Sequence, residues 1–289
     1  MGLYTRSRSP LTARMFVNPT TALLIDHAEA ALTLSVVEAV IASGRASGAF
    51  LRTLGSGVAA YLRPGSPMNK VIGVGFDSPI DEDALADIEQ EHRLRGEPVR
   101  VELSTLARPE SAARLSARGY RLLGFENVLV RSLATAPTPP VAEVRVERVS
   151  AGTVNAWRKV TVVAVASSDE TGVPVDQLSL AEIAAAIEDM LEARDFERYL
   201  AFLNGELAGT ASLRMHGAVA QLTGSATLPA QRRRGVQAAL IAARLEEARA
   251  RGADLAVIMT APGSQSQANV MKHGFALAYA RAILVLPAT

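Results

Sequence analysis

Three arginines and a glycine close the stretch Pro229-Ala-Gln-Arg-Arg-Arg-Gly235. A strand-like run ends just before it, near Leu228, and a helical pattern starts just after it, at Val236. The first backbone N–H groups of a helix have no partner within it, and the helix dipole makes that end positive. Such a terminus is a site for phosphate. Arg232, Arg233 and Arg234 add charge and forked donors. The chemistry is therefore recognition of a nucleotide-like ligand lying along a strand edge. A solvated charge patch would also use three arginines, but here strand, glycine and helix stand in the right order. Neither the G-x-x-x-x-G-K-[ST] nor the G-x-G-x-x-G pattern is present.

The elements around this loop can be read outward. Val219–Leu228 is the strand that leads in, and Val236–Arg251 is the helix, with Leu240, Ile241, Leu245 and Ala248 as its apolar stripe and Gly252 as its stop. Upstream, Arg198–Leu203 and Glu206–Met215 read as strands joined by Asn204-Gly205, the strongest short hairpin signal. Before them come a strand at Glu143–Val149 and helices at Thr153–Ala166 and Leu180–Arg194, separated by a polar loop. Ala22–Ala42 reads as a long amphipathic helix, because Asp26, His27, Glu29 and Glu38 interrupt its apolar run and exclude a membrane span.

Composition narrows the function classes. The 289 residues are 49% hydrophobic and 20% charged, as in soluble globular proteins, and the length predicts about two domains. The net charge of +1 argues against a nucleic-acid partner. The absence of cysteine excludes a disulfide scaffold, a cysteine nucleophile and a thiolate metal site. His216 and His273 have no partner at metal-ligand spacing, so no metal is expected. The N-terminal stretch lacks the apolar core of a leader, which predicts a cytoplasmic protein.

The chain repeats itself. Residues 99–130 and 254–285 align without a gap at an offset of 155, including Thr105/Thr260, Ser111/Ser266, Gly119/Gly274 and Leu129/Leu284. Each copy reads strand, helix, glycine-aromatic pair, strand. The proline-rich stretch 135–140 is the expected linker between two halves.

The segment Leu228-Pro-Ala-Gln-Arg-Arg-Arg-Gly-Val-Gln-Ala-Ala-Leu240 resembles the acetyl-CoA motif of the GCN5-related N-acetyltransferases (GNAT), and Ser266–Phe275 resembles the family's last helix with its Gly-Phe ending. Arg232 matches the basic position and Gly235 the first glycine; Gln237 stands where Gly or Ala is usual and must turn its side chain aside. The resemblance implies an α/β (α+β) fold of two tandem GNAT-like domains, each a mixed, mostly antiparallel central sheet flanked by helices. Residues 1–134 would be a degenerate copy without a phosphate loop, since Phe76–Asp83 carries four carboxylates and no arginine at that place. Residues 141–289 would be the catalytic domain, ending in a strand pair. The implied activity is transfer of an acetyl group from acetyl-CoA to a primary amine, with no membrane or nucleic-acid partner and with homodimerisation open; a non-catalytic CoA-binding module is the alternative.

The implied cofactor contacts are Ala226, Thr227, Leu228, Arg232, Arg233, Arg234, Gly235, Val236, Gln237, Ala238 and Asn269. Asp169 and Glu170, between the first two helices, would attract a cationic acceptor. The family's usual acid, a tyrosine four residues before the Gly-Phe pair, is Val270 here, and the strand offers only Gln221, Thr223 and Ser225 in place of a carboxylate. Tyr279 and Ser225 are the remaining candidates for catalysis.

Overall fold

The computed structural model describes residues 16–134, 143–167, 172–173 and 178–288. The expected linker at 135–140 lies outside them.

The first helix, α1 (Pro19–Ala42), opens with Asn18, whose side chain accepts from the Thr21 N–H at 2.9 Å, and with Pro19, which fits the first turn. Its charges do not follow the expected solvent-facing stripe. Asp26 and Glu29 are buried while Leu24 is 55% exposed. The N-terminal half continues with β1 (Phe50–Leu54), β2 (Gly57–Tyr61), β3 (Lys70–Ile72), α2 (Glu82–Leu94), β4 (Val99–Ser104), α3 (Pro109–Ala117) and β5 (Arg121–Ser132). β3 stops at Ile72, because Gly73 turns to φ +76°. The C-terminal half runs β6 (Val144–Arg148), α4 (Val154–Ala166), α5 (Leu180–Glu192), β7 (Phe196–Leu203), β8 (Glu206–His216), β9 (Val219–Thr227), α6 (Val236–Ala250), β10 (Leu255–Thr260), α7 (Gln265–Lys272) and β11 (Ala276–Leu286).

The eleven strands of the described residues form one sheet, ordered β1-β2-β3-β4-β11-β5-β10-β9-β8-β7-β6. Only β3–β4 and β9–β10 are parallel, so each half holds one parallel pair in an otherwise antiparallel sheet. The repeated segments map onto each other as β4-α3-β5 and β10-α7-β11, with Gly119 and Gly274 both at positive φ. The ends are exchanged, however. β11 pairs with β4 and β5, and β5 pairs with β10. Each half thus closes on a long strand that also completes the other. The expected terminal strand pair is one unbroken strand, since 276–286 contains no turn-forming residue. The pairing partner that a hairpin would provide comes instead from the other half of the chain.

Side-chain alternation separates two faces. Leu222, Ala256, Ile258 and Leu129 pack under α6 and α7, and Val101, Leu103 and Leu284 pack under α2 and α3. The opposite face carries α1, α4 and α5: Val219, Val257, Val128 and Tyr279 meet α1, and Leu200 meets Trp157 of α4. α1 reaches β2 and β3 of one half and β8 and β9 of the other, covering the seam.

Candidate functional site

The parallel strands β9 and β10 pair at Leu255↔Val219, Ala256↔Ala220 and Val257↔Gln221, and then separate. β9 continues for six residues along β8 alone. In this stretch the register slips between Thr210 and Ser212, where Gly224 (φ +55°) and Ser225 form a bulge. The result is a V-shaped opening whose β9 side carries unpaired backbone groups. Leu228 donates its N–H to the Ala208 carbonyl at 2.9 Å. By strand alternation Ala226 also faces β8, leaving Thr227 to point its backbone into the opening.

A 3-10 turn at Pro229–Gln231 then leads to α6. Gly235 caps that helix at φ +81°, with no side-chain cap bond, so the first N–H groups are free to take an anion. The left-handed conformation explains why glycine stands there. Arg233 is also left-handed, at φ +60°, and exposed. Arg234 is exposed and donates to Gln231 Oε1 at 2.6 Å. Arg232 is turned inward: its guanidinium bonds the carbonyls of Thr227 and Ser167, tying the end of β9 to the end of α4. Gln237 does turn aside, accepting from Asn269 Nδ2 at 2.7 Å, which links α6 to α7. Val236 is buried and Ala238 half-buried.

α6 comes down this close because β8 carries Gly209. A Cβ there would lie 2.7 Å from the Ala226 carbonyl oxygen and 2.9 Å from Val236 Cγ1. Gly209→Ala is expected to lower the unfolding free energy by about 1–3 kcal/mol by overpacking. Urea denaturation of the variant checks this; an unchanged midpoint would count against the close approach.

The hydroxyls of Ser225 and Thr223 on β9, and of Thr260 at the tip of β10, are buried with no hydrogen-bond partner among the described residues. Polar groups so placed at an opening are suited to a bound ligand. Val270 is fully buried and offers no acid. Asp169 and Glu170 lie outside the described residues. Tyr279 requires a correction as a candidate for catalysis. It is 5% exposed, beneath α1, and its hydroxyl donates to Asp26 Oδ1 at 2.6 Å. Burial first, and then Asp26, hold its pKa far above the ordinary value. A phenol so held neither gives nor takes a proton readily.

Tyr279 belongs to a buried charge cluster at the seam that periodicity did not reveal. Arg281 donates to Asp26 at 2.7 Å and to Glu126 at 3.1 Å. Lys70 stands 3.1 Å from Glu102 and 3.9 Å from Glu29. Gln221 donates to Glu29 at 3.0 Å and accepts from Arg214 at 2.9 Å. Burial pushes the Glu102 carboxyl up, but Lys70, Arg100 and Arg281 outweigh it and hold it below the usual range. Arg244 is a second surprise. It sits within the apolar stripe of α6, fully buried, and donates to the carbonyls of Ser212 and Thr223 at the bulge. Burial pulls its pKa down to about 9, so it keeps its charge at neutral pH. It joins two carbonyls where the ladder is interrupted. Only its neighbours at 240, 241, 245 and 248, all apolar, hinted that position 244 faces inward.

The corresponding turn of the N-terminal half is filled by the protein itself. Asp81 caps α2 by accepting from the Ala84 N–H at 2.9 Å, and Glu82 and Asp83 occupy the first turn. Arg108 and Arg114 donate to the carbonyls of Phe76 and Ile80.

Residues 165–275 match the model of the Acetyltransferase (GNAT) family. Among solved structures, the chain is similar to a GCN5-related N-acetyltransferase from Kribbella flavida, with a TM-score of 0.64 at 19% identity, over 91% of this chain and 96% of that one. It is similar to a tandem GNAT protein from the clavulanic acid biosynthesis pathway, with a TM-score of 0.57 at 14% identity, over 94% and 97%. A functionally unknown conserved protein from Staphylococcus epidermidis aligns with a TM-score of 0.54 at 14% identity, over 80% and 90%. No curated protein matches the chain. At these identities the structures establish the fold: a tandem GNAT architecture.

Proposed function

Taking residues 165–275 as a GNAT-family segment within a tandem GNAT fold, we propose that the chain is an acyl-CoA-dependent N-acyltransferase. Acetyl-CoA is the donor, a primary amine is the acceptor, and the site lies in the C-terminal half. The observation that carries this reading is the pairing of the β9–β10 opening with an uncapped helix start at Gly235. The pyrophosphate would lie on the N–H groups of that helix start, beside Arg233 and Arg234. The pantetheine arm would enter the opening and replace the missing β10 as a partner for the backbone of β9. The Thr227 N–H and the orphaned Ser225 and Thr223 hydroxyls fit that role. The N-terminal half, whose equivalent turn is occupied by its own carboxylates and arginines, would serve as scaffold and cleft wall.

Positioning supplies much of the rate in such a reaction. A deprotonated amine is already a competent nucleophile, and holding it against the thioester carbonyl removes an entropic cost. A backbone N–H aimed at the carbonyl oxygen stabilises the charge that develops there. Thr227 is the residue whose N–H is free to do so.

The direct test is calorimetry with acetyl-CoA. The unaltered chain is expected to bind, and Arg233→Glu with Arg234→Glu to weaken binding at least about tenfold, roughly 1.4 kcal/mol. Both residues are exposed, so the fold should survive. Binding that ignores the double charge reversal would overturn the assignment of the loop. A second reading, a CoA-binding module without catalysis, is favoured by the buried Val270 at the place of the family's tyrosine. Release of free thiol in the presence of amines separates the two. Among the described residues no helix is long and apolar enough to cross a membrane.

A further inference from the structure

β10 ends at Thr260, opposite Asn127. Glu126 is therefore the first residue of β5 with no strand on its β10 side. β9 has lost β10 after Gln221. The open edges of β9 and β5 thus face each other across the space that β10 leaves. Continuing the β9–β10 register places position 261, opposite Glu126, level with Ser225 at the bulge. The side chain of Glu126 meets Arg281 on the α1 face of the sheet, across from the face that carries the helix start of α6. A ligand entering from the α6 face and an acceptor entering from the α1 face would meet at this level.

We propose that Glu126, supplied by the N-terminal half, removes the proton from the attacking amine, and that the acceptor is an amine cationic at neutral pH. This rests on the reading of the C-terminal half as an acyl-CoA enzyme.

The charges at the seam favour such a guest. Asp26, Glu29, Glu102 and Glu126 stand against Lys70, Arg281 and Arg100, which leaves one carboxylate in excess. Asp26 is fully buried, and its Oδ2 has no partner among the described residues. Of the four carboxylates only Glu126 reaches solvent, with its side chain 33% exposed. Burial and then Glu102 push its pKa up to about 7, with Glu29 adding to the push while Arg281 and Lys70 oppose it. A base near neutral pH is matched to proton removal there. The step balances as follows. The ammonium gives one proton to the Glu126 carboxylate; its nitrogen bonds to the thioester carbon. The C–S bond breaks, and the second proton passes from the nitrogen to the leaving thiolate, giving an amide and free CoA thiol, after which Glu126 releases its proton to solvent.

The test is thiol release from acetyl-CoA by the full chain with spermidine, putrescine and glycinamide as cationic probes. With the cationic probes, kcat/KM of the unaltered chain should rise with pH through about 7, as Glu126 loses its proton. E126Q keeps an acceptor for Arg281, so a purely structural role would leave the profile in place. The expected result is a loss of about a hundredfold with the cationic probes and disappearance of that limb. E126D should restore part of it. E126Q turnover within about threefold on the cationic probes, or no turnover of any of them by the unaltered chain, overturns the inference. Calorimetry separates the two readings: absent acetyl-CoA binding by the unaltered chain overturns the proposed function. Retained binding with E126Q turnover unchanged overturns only the role of Glu126.

Discussion

Replacing Arg281 with methionine is expected to lower the unfolding free energy by about 3–5 kcal/mol, the cost of leaving a buried charge without its partner. Arg281 and Asp26 are both fully buried, and the guanidinium donates to Asp26 through two nitrogens, at 2.7 and 3.1 Å. Burial works against the charge of Arg281, yet Asp26, Tyr279, Glu126 and Glu29 raise its pKa well above the ordinary value. Once the arginine is gone, Asp26 keeps only the Tyr279 hydroxyl. The second variant decides the cause. Arg281→Met with Asp26→Asn removes both charges and should recover a large part of the loss, because a neutral amide is far cheaper to bury. Urea denaturation of both variants gives the comparison. Additive losses would mean that the pair is not coupled, and that packing alone sets the effect.

Ending the chain after Phe275 is the second large change. It deletes β11, which lies between β4 and β5 and bonds to both. The loss therefore strikes the N-terminal half as well as its own. Ile283, Leu284 and Tyr279, all buried, are lost from the core, and an apolar side chain so buried is worth about 1.5–3 kcal/mol. Two ladders of backbone bonds also open onto a strand edge. Against a total stability of about 5–15 kcal/mol, the truncated chain should not fold. Circular dichroism and size exclusion are the measurements. A cooperative thermal transition like that of the full chain would show that the halves do not depend on the exchange. The same logic predicts that residues 1–134 alone are unfolded, and that co-expression with the remainder restores them.

The turn between β9 and α6 was legible because it is contiguous. A strand end, a positive-φ glycine and a helix start fall within one short stretch, and each has a local signature. The Gln237 side chain is held by Asn269 of α7, a contact between two helices that local pattern does not mark. Tyr279 was misplaced for the same reason. Its position in a strand is local, but its partner Asp26 lies 253 residues away. Alternation reports that a residue faces one side of a sheet, not which helix covers that side. Asp26 and Glu29 were read as a polar stripe because periodicity prices charges as solvent-seeking, and only Arg281, Lys70 and Gln221 make their burial affordable.

By itself, then, the sequence determined what forms over short range: the helices, the hairpins, the repeated strand–helix–strand unit, and the glycine-led helix start at Gly235. Tertiary structure alone decided how the two copies are joined. An exchange of β5 and β11 preserves every local preference, since either strand can fill either place, so no local signal marks it. The exchange brings together charges from residues 26, 126 and 281. That grouping exists only once the sheet has closed, because residues 26, 126 and 281 lie on α1, β5 and β11.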